Sequence, residues 1–369
     1  MRIERLALNG FRNYEWETAE FAPGTNVITG QNAQGKTNLL EAVYLLSTGR
    51  SFRTRFDREL VGFSYSEAEI LADIYSHERN QTVSIRLKPG QAKKILVNGV
   101  RKNAGELSDQ VNCVLFCPDD LNLIKDGAAV RRRMMDNAIS QIRPRYAELL
   151  SEFNKLYEHK TRILKDWREK PSLLDTLDEF SDAMARVSAH LIRYRASFAK
   201  LLNEAAPPIH RDFSGDGEEL SIRYSTVSTV RDPFASSREI YYDLCEHQEK
   251  HRQAELESAQ CLTGAHKDDL EIAINGRAAR SFASQGQTRT AALSVKLAER
   301  EIFLAETGEY PILLLDDVLS ELDTRRQEFV LNRIGGGQTL ITCCEDGGIS
   351  SRTGGRVLFV EKGRIRQST

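Results

Sequence analysis

Residues 27–46 carry the clearest chemistry in the chain. A β-branched run, Val27-Ile28-Thr29, leads into Gly30-Gln31-Asn32-Ala33-Gln34-Gly35-Lys36-Thr37, and Asn38 opens an apolar run at helical spacing, Leu39, Leu40, Val43 and Leu46. This is the spacing of a phosphate-binding loop set between a strand and a helix. Gly30 and Gly35 permit turns that a Cβ would strain. The backbone N–H groups so exposed, with the positive end of the helix dipole, cradle a β-phosphate. Lys36 is then placed to reach the β- and γ-phosphates, and Thr37 to give its hydroxyl to Mg²⁺.

A second chemical signal stands far along the chain, where Pro311-Ile312-Leu313-Leu314-Leu315 ends in Asp316-Asp317. A strand buried on both faces would bring Asp316 beside the phosphate loop, where it can hold a Mg²⁺-bound water. Asp317 is then the candidate base for an attacking water. Two acids after a strand also serve as helix caps, but the following Ser320-Glu321-Leu322-Asp323 makes the catalytic reading the stronger one. Upstream, Ser284-Gln285-Gly286-Gln287 opens a long amphipathic helix, and a helix start of this kind is an anion site.

The elements that must position these residues follow from periodicity. Up to residue 118 the chain alternates in the manner of strands (Leu6 and Leu8, Ile70 to Ile74, Val83 to Leu87, Ile95 to Val97, Val111 to Phe116), with Asn98-Gly99 as a hairpin signal. From there to about residue 206 the pattern is helical. Phe180, Met184, Val187, Leu191, Tyr194, Phe198 and Leu201 form a seam, with a partner segment from Tyr146 to Trp167. Such a pair is either a hairpin inside an ordinary core or a projecting arm. Pro207-Pro208 is expected to end the second helix. A strand (Leu220 to Tyr224), a helix from about Pro233 to Glu257, a strand (Leu270 to Ile274) with Asn275-Gly276 as its turn, and a strand Thr339 to Thr342 complete the reading. The expected organisation is therefore a discontinuous strand-rich domain, 1–118 and 262–369, interrupted by a helical domain, 119–261.

Composition sets outer limits. With 369 residues and 40% hydrophobic content the chain can fill two cores, and a net charge of −2 means that any nucleic-acid surface must be local. No long apolar run or signal-like N-terminus occurs, so no membrane association is expected and a cytoplasmic location is the simplest expectation. The six cysteines lack paired metal spacing and are expected to be reduced and structural.

The order of phosphate loop, helical insertion, Ser-x-Gly-Gln turn, Asp-Asp strand and Ser-x-Leu-Asp loop resembles an ABC-type ATPase head of the kind shared with SMC proteins. The resemblance narrows on Leu6 to Tyr14, which contains Arg12 and Asn13, on Gly30 to Ala42, and on Ser47-Thr-Gly-Arg50-Ser-Phe-Arg53-Thr54. It extends through Pro118 to Leu121 with Arg131-Arg132-Arg133, Gly264 to Leu270, Ser284 to Thr290 and Leu314 to Asp323. Together these resemble the RecF family of bacterial DNA repair and recombination proteins over nearly the whole chain.

The resemblance implies an α/β fold: an ABC-type, SMC-like P-loop ATPase head built from the N- and C-terminal segments, with a mainly helical inserted arm. It implies ATP and Mg²⁺ as ligands, with Arg12, Asn13, Gly30 to Asn38, Ser284, Gly286, Gln287 and Asp323 at the nucleotide and Thr37 and Asp316 at the metal. It also implies an ATP-dependent homodimer in which Ser284 and Gly286 of one subunit close over the nucleotide of the other. Such proteins engage gapped DNA near duplex to single-strand junctions with RecR and help load RecA in the SOS response.

Asp317 stands where most ABC ATPases carry Glu, so at most slow hydrolysis is expected. The absence of the Gln and His that transporter-type relatives place after the strands Val111 to Phe116 and Thr339 to Thr342 counts against a transporter subunit. For DNA contact, residues 125–168 hold eleven Lys and Arg against six Asp and Glu, including Arg131, Arg132 and Arg133. Arg50, Arg53, Arg55 and Arg58 form a second cluster; solvated faces also carry such runs. The alternative to a nucleotide-operated DNA clamp is an ABC-type subunit powering another machine, which the long helical insertion disfavours.

Overall fold

The computed structural model describes residues 1–214 and 217–367. Two compact units are present, one formed by Met1–Asn122 with Arg289–Thr369 and the other by Leu123–Thr288.

The first unit contains two six-stranded sheets. One is antiparallel, in the order Tyr14–Glu20, Arg2–Phe11, Ala68–Ser76, Arg79–Leu87, Lys94–Val97, Val100–Lys102. Residues alternate between buried and less buried along Ala68–Ser76, as expected for a strand with one face on the core. Asn98 and Gly99 both have positive φ and join Val97 to Val100 as a two-residue hairpin. The second sheet runs Arg364–Gln367, Arg356–Glu361, Thr25–Thr29, Thr339–Cys343, Ile312–Asp316, Cys113–Phe116, parallel throughout except at the Arg364–Gln367 edge. Its central strands Thr339–Cys343 and Ile312–Asp316 are buried at every position, which is why they read as continuous apolar runs. The helix Lys36–Thr48 shares a single core with both sheets and is apolar nearly all round.

The second unit packs the helices Ala128–Ile142, Pro144–Asp166, Leu177–Ser214 and Ser237–Ser258 with a three-stranded sheet, Arg277–Ala278, Asp269–Ile274, Leu220–Ser225. Two expectations are corrected here. The helix expected to stop at Pro207-Pro208 runs on to Ser214, because Ile209, His210 and Phe213 beyond the prolines are buried, and that packing outweighs the two lost backbone bonds. The seam along this helix is also wider than a coiled-coil stripe. Ala185, Ser188, Ile192, Ala196 and Ala199 are buried beside it, as befits a helix packed by both Pro144–Asp166 and Ser237–Ser258.

The domain boundary moves as well: residues 262–288 belong with the helical unit. Asp269–Ile274 pairs with Leu220–Ser225 along its length, from Asp269↔Ser225 to Ile274↔Leu220. Arg195 reinforces this tie. Its buried guanidinium donates to Ala265 O at 2.5 Å, Asp268 Oδ2 at 2.7 Å and Asp136 Oδ1 at 2.9 Å, and the Tyr224 hydroxyl donates to Asp268 at 2.5 Å. Burial pushes the Asp268 carboxyl up, and Arg195 opposes that shift. Arg195→Met should therefore strand a fully buried carboxylate and cost about 3–5 kcal/mol. Chemical denaturation of Arg195→Met and of Arg195→Met with Asp268→Leu checks this: the double variant should recover part of the loss, and a cost below about 1 kcal/mol for the single one would refute it. Among the described residues no helix is long and apolar enough to cross a membrane.

Candidate nucleotide site

Strand register builds the site. Thr29 pairs with Cys343, Thr342 with Asp316 and Leu315 with Phe116, so the phosphate loop and the Asp316-Asp317 pair leave the same edge of the parallel sheet. Ligands collect at the carboxyl ends of strands in open α/β sheets of this kind. Gly30 (φ +147°) and Gly35 (φ +121°) bracket the loop. A Cβ at Gly30 would meet Val360 O at 2.2 Å, and one at Gly35 would meet Asn13 Nδ2 at 2.8 Å. Gln31, Asn32 and Ala33 face solvent, and the helix that follows has no acidic residue in its first turn, so its positive end is left for an anion.

Lys36 is buried, and its ammonium donates to Gly30 O at 2.6 Å and Gln31 O at 3.0 Å, which holds the charge at the mouth of the loop. The Thr37 hydroxyl donates to Asp316 Oδ1 at 2.9 Å, and the Thr342 hydroxyl reaches the same oxygen at 2.9 Å. Burial raises the Asp316 pKa, a cost that a hard cation would relieve. One hydroxyl and one carboxylate, with no cluster of three or more metal-ligating side chains among the described residues, fit Mg²⁺, which keeps waters and phosphate oxygens as its other ligands. Asp317 sits at φ +53°, a left-handed conformation costly for a non-glycine residue. Its N–H donates to Thr342 Oγ1 at 2.8 Å, and Ser320 Oγ donates to its carbonyl at 2.6 Å, so both ends of the strained residue are pinned.

A family model described as "RecF/RecN/SMC N terminal domain" matches residues 2–353. The DNA replication and repair protein RecF of Acetivibrio thermocellus is 40% identical over 367 residues, covering 99% of both chains. The chain belongs to the RecF family. RecF of Listeria innocua is likewise 40% identical, over the full length of both proteins. A solved structure of the recombination mediator RecF with ATPrS superposes with a TM-score of 0.92 at 33% identity, covering 100% of this chain and 98% of that one. The Smc head domain of Pyrococcus furiosus, 17% identical with a TM-score of 0.57, shares the fold. The architecture is thus the ABC-type, SMC-like ATPase head of RecF with an inserted helical unit.

Several of the contacts expected at the nucleotide act as braces. Asn13 Nδ2 donates to Gln34 O at 2.8 Å, and Asn38 Nδ2 donates to Asn13 Oδ1 at 2.8 Å. Arg12 forms a two-bond ion pair with the fully buried Glu41, at 2.8 and 2.7 Å. Asp323 caps the helix Thr324–Leu331 and pairs with Arg326. Ser284 and Gln287 form a capping box, the Gln287 N–H donating to Ser284 Oγ at 3.2 Å and the Ser284 N–H to Gln287 Oε1 at 2.8 Å, so Gly286 lies in the first turn of the helix Gln285–Thr307.

The basic clusters divide. Arg131 is buried in an ion pair with Asp269, at 2.7 and 2.9 Å, and Arg132 donates to Asp268 O at 2.6 Å. Both are therefore removed from the expected DNA contacts. Arg53 is exposed like Arg50, Arg55 and Arg133, but its guanidinium is engaged, donating to Asn38 Oδ1 at 2.6 Å and lying 3.5 Å from Glu41.

Four features of the site escaped sequence reasoning. Thr342 links the two aspartates. The turn Lys362-Gly363 grips Gln34 from the far end of the chain, Lys362 N to Gln34 Oε1 at 2.6 Å and Gly363 N to Gln34 O at 3.0 Å. The exposed Cys344 donates from Sγ to Asn32 Oδ1 at 3.0 Å, so it lies at the phosphate loop and not in the core. Glu41 had a signal: a carboxylate inside Leu39-Leu40-Glu41-Ala42-Val43 is buried and demands a cationic partner.

Proposed function

We propose that the chain is a DNA replication and repair protein that binds ATP and uses it as a clamp: ATP binding drives dimerisation, and the dimer retains DNA. The observation that carries this reading is the meeting of Lys36, Thr37, Asp316 and Asp317 at one sheet edge by strand register. The names of the RecF relatives and the ATP and RecFOR pathway named for the solved RecF structures support the biological setting. The finer reading extends the family's behaviour to gapped DNA at junctions, to RecR as partner and to RecA loading.

In this mechanism the loop N–H groups and Lys36 bind the phosphates, and Thr37 and Asp316 hold the cation. Mg²⁺, when bound there, would supply positive charge against the phosphates, with Thr37 and Asp316 as the residues that would hold it. Ser284 and the N–H groups of its helix start serve the second subunit's nucleotide. Asp317 orients water, and as the shorter acid it does so with a longer reach to cover, so turnover is slow. Arg50, Arg55 and Arg133 are the remaining basic contacts to DNA phosphate.

Asp317→Ala separates binding from turnover, since a residue that only polarises water can be lost without disturbing ground-state affinity. Phosphate release should fall at least about tenfold while ATP affinity stays within about twofold, and the variant should persist as an ATP-bound dimer. A variant that stays monomeric in saturating ATP would contradict the role given to Asp317.

A further inference from the structure

Between the helix Lys36–Thr48 and the strand Ala68–Ser76 the chain displays three aromatic rings to solvent: Phe63 is 111% exposed, Phe56 56% and Tyr65 37%. Scattered exposed apolar residues are ordinary, but these three fall within ten residues of one another. The same stretch exposes Arg50, Arg55 and Arg58. None of the three pairs with an acid among the described residues, and the Arg58 guanidinium lies over the Phe56 ring, 5.1 Å from its centre. Rings bared beside uncompensated guanidinium groups suit a ligand with flat π faces strung along an anionic backbone. Protein interfaces are also rich in Phe, Tyr and Arg, so the test includes the ATP-induced dimer to separate the two occupants.

The display rests on a stiff base. Leu60 is buried, Gly62 N donates to Gly10 O at 2.8 Å, and Tyr65 N donates to Gly62 O at 2.9 Å. A Cβ at Gly62 would meet Arg12 O at 2.7 Å, so the turn lies against the first strand with no room to spare. The stretch is also tied to the nucleotide site. Arg12, already paired with Glu41, holds the loop by donating from Nη1 to Glu59 O at 2.8 Å and from its backbone N–H to Leu60 O at 2.8 Å. Ser51 Oγ donates to Glu41 at 2.5 Å, and Arg53 binds Asn38 on the same helix.

We propose that residues 50–66 form a binding surface for single-stranded DNA, in which unpaired bases stack on Phe56, Phe63 and Tyr65 while Arg50, Arg55 and Arg58 neutralise the phosphates. The inference rests on the DNA-binding reading above and assigns the single-stranded part of a junction to this surface. Its anchorage on Glu41 and Asn38, in the helix that follows the phosphate loop, couples the surface to the nucleotide, so ATP and single strand strengthen each other's binding.

The test is fluorescence anisotropy with a blunt duplex, the same duplex carrying an oligothymidine tail, and the tail alone, each with and without ATP. The proteins are wild type, Phe56→Ala/Phe63→Ala and Phe63→Trp. Both rings are solvent-exposed, so their removal leaves the core intact. The double variant should lose about tenfold or more in affinity for the tailed duplex and the tail, and nothing on the blunt duplex. Phe63→Trp should keep the affinity, and its added indole emission should be quenched by the tail but not by the duplex.

Tail binding by the double variant equal to wild type overturns the proposal. So does loss of its ATP-induced dimer in sedimentation, which would assign the rings to contact between copies. Wild type that binds the blunt duplex in ATP but shows no gain from the tail overturns this proposal alone. Wild type that binds no DNA in ATP overturns the DNA-binding reading with it.

Discussion

Lys36→Ala is expected to abolish ATP binding, ATP-induced dimerisation and stable DNA binding together. The side chain is buried, with its ammonium against the carbonyls of Gly30 and Gln31, so the positive charge is held where the loop opens. Hydrogen bonds to a charged partner contribute about 1.5–3 kcal/mol each, so losing two of them to phosphate raises the Kd for ATP at least about a hundredfold. The bonds lost within the protein are to carbonyls at an open loop, and the melting temperature should move by only a few degrees. Calorimetric titration with ATP, sedimentation in saturating ATP and DNA anisotropy together check the result. Lost nucleotide binding with unchanged DNA affinity would show that DNA retention does not run through the nucleotide.

Ser284→Arg should give the opposite division: ATP affinity of the monomer near wild type, and no ATP-induced dimer. Ser284 caps the helix Gln285–Thr307 in a reciprocal pair with Gln287, which fixes the Ser284 hydroxyl at the start of the helix. In the proposed dimer this hydroxyl and helix start would meet the nucleotide of a second subunit. A bulky cationic side chain there blocks the joint. Loss of the cap costs about 1 kcal/mol of local stability, and Ser284→Gly, which retains most of the capping, controls for that. Mixing Ser284→Arg with Lys36→Ala should yield dimers in which at most one composite site is intact, because each change damages a different half. Sedimentation with ATP, ADP and a slowly hydrolysed analogue decides between the readings. A Ser284→Arg monomer that fails to bind ATP would place the turn in its own subunit's site and end the dimer mechanism.

Much of this protein is legible from residue order because the determining interactions are local. The phosphate loop is a contiguous run whose glycines answer to their own φ angles. Asn98-Gly99 closes its hairpin within two residues, and Ile312 to Leu315 announces a strand buried on both faces. Ser284 and Gln287 stand three apart, as a helix cap requires. Such features depend on backbone sterics and period, which a linear string carries.

What the sequence leaves open depends on partners far away along the chain. Pro207-Pro208 does not stop its helix, because the burial of Ile209 and Phe213 outweighs the two missing N–H groups. Arg131 reads as one of three free arginines until Asp269, 138 residues on, takes it into an ion pair. Residues 262–288 join the helical unit because a strand ladder with Leu220–Ser225 and the bonds of Arg195 hold them there. Gln34 is gripped by Lys362 and Gly363, 328 residues away in the case of Lys362. The sequence by itself therefore determined the family, the phosphate-binding loop and the acidic pair. Only the tertiary structure decided which charges are spent inside the fold and which remain for a ligand, because a side chain's electrostatic partner is set by what the fold brings within a few ångströms and not by its neighbours in the chain.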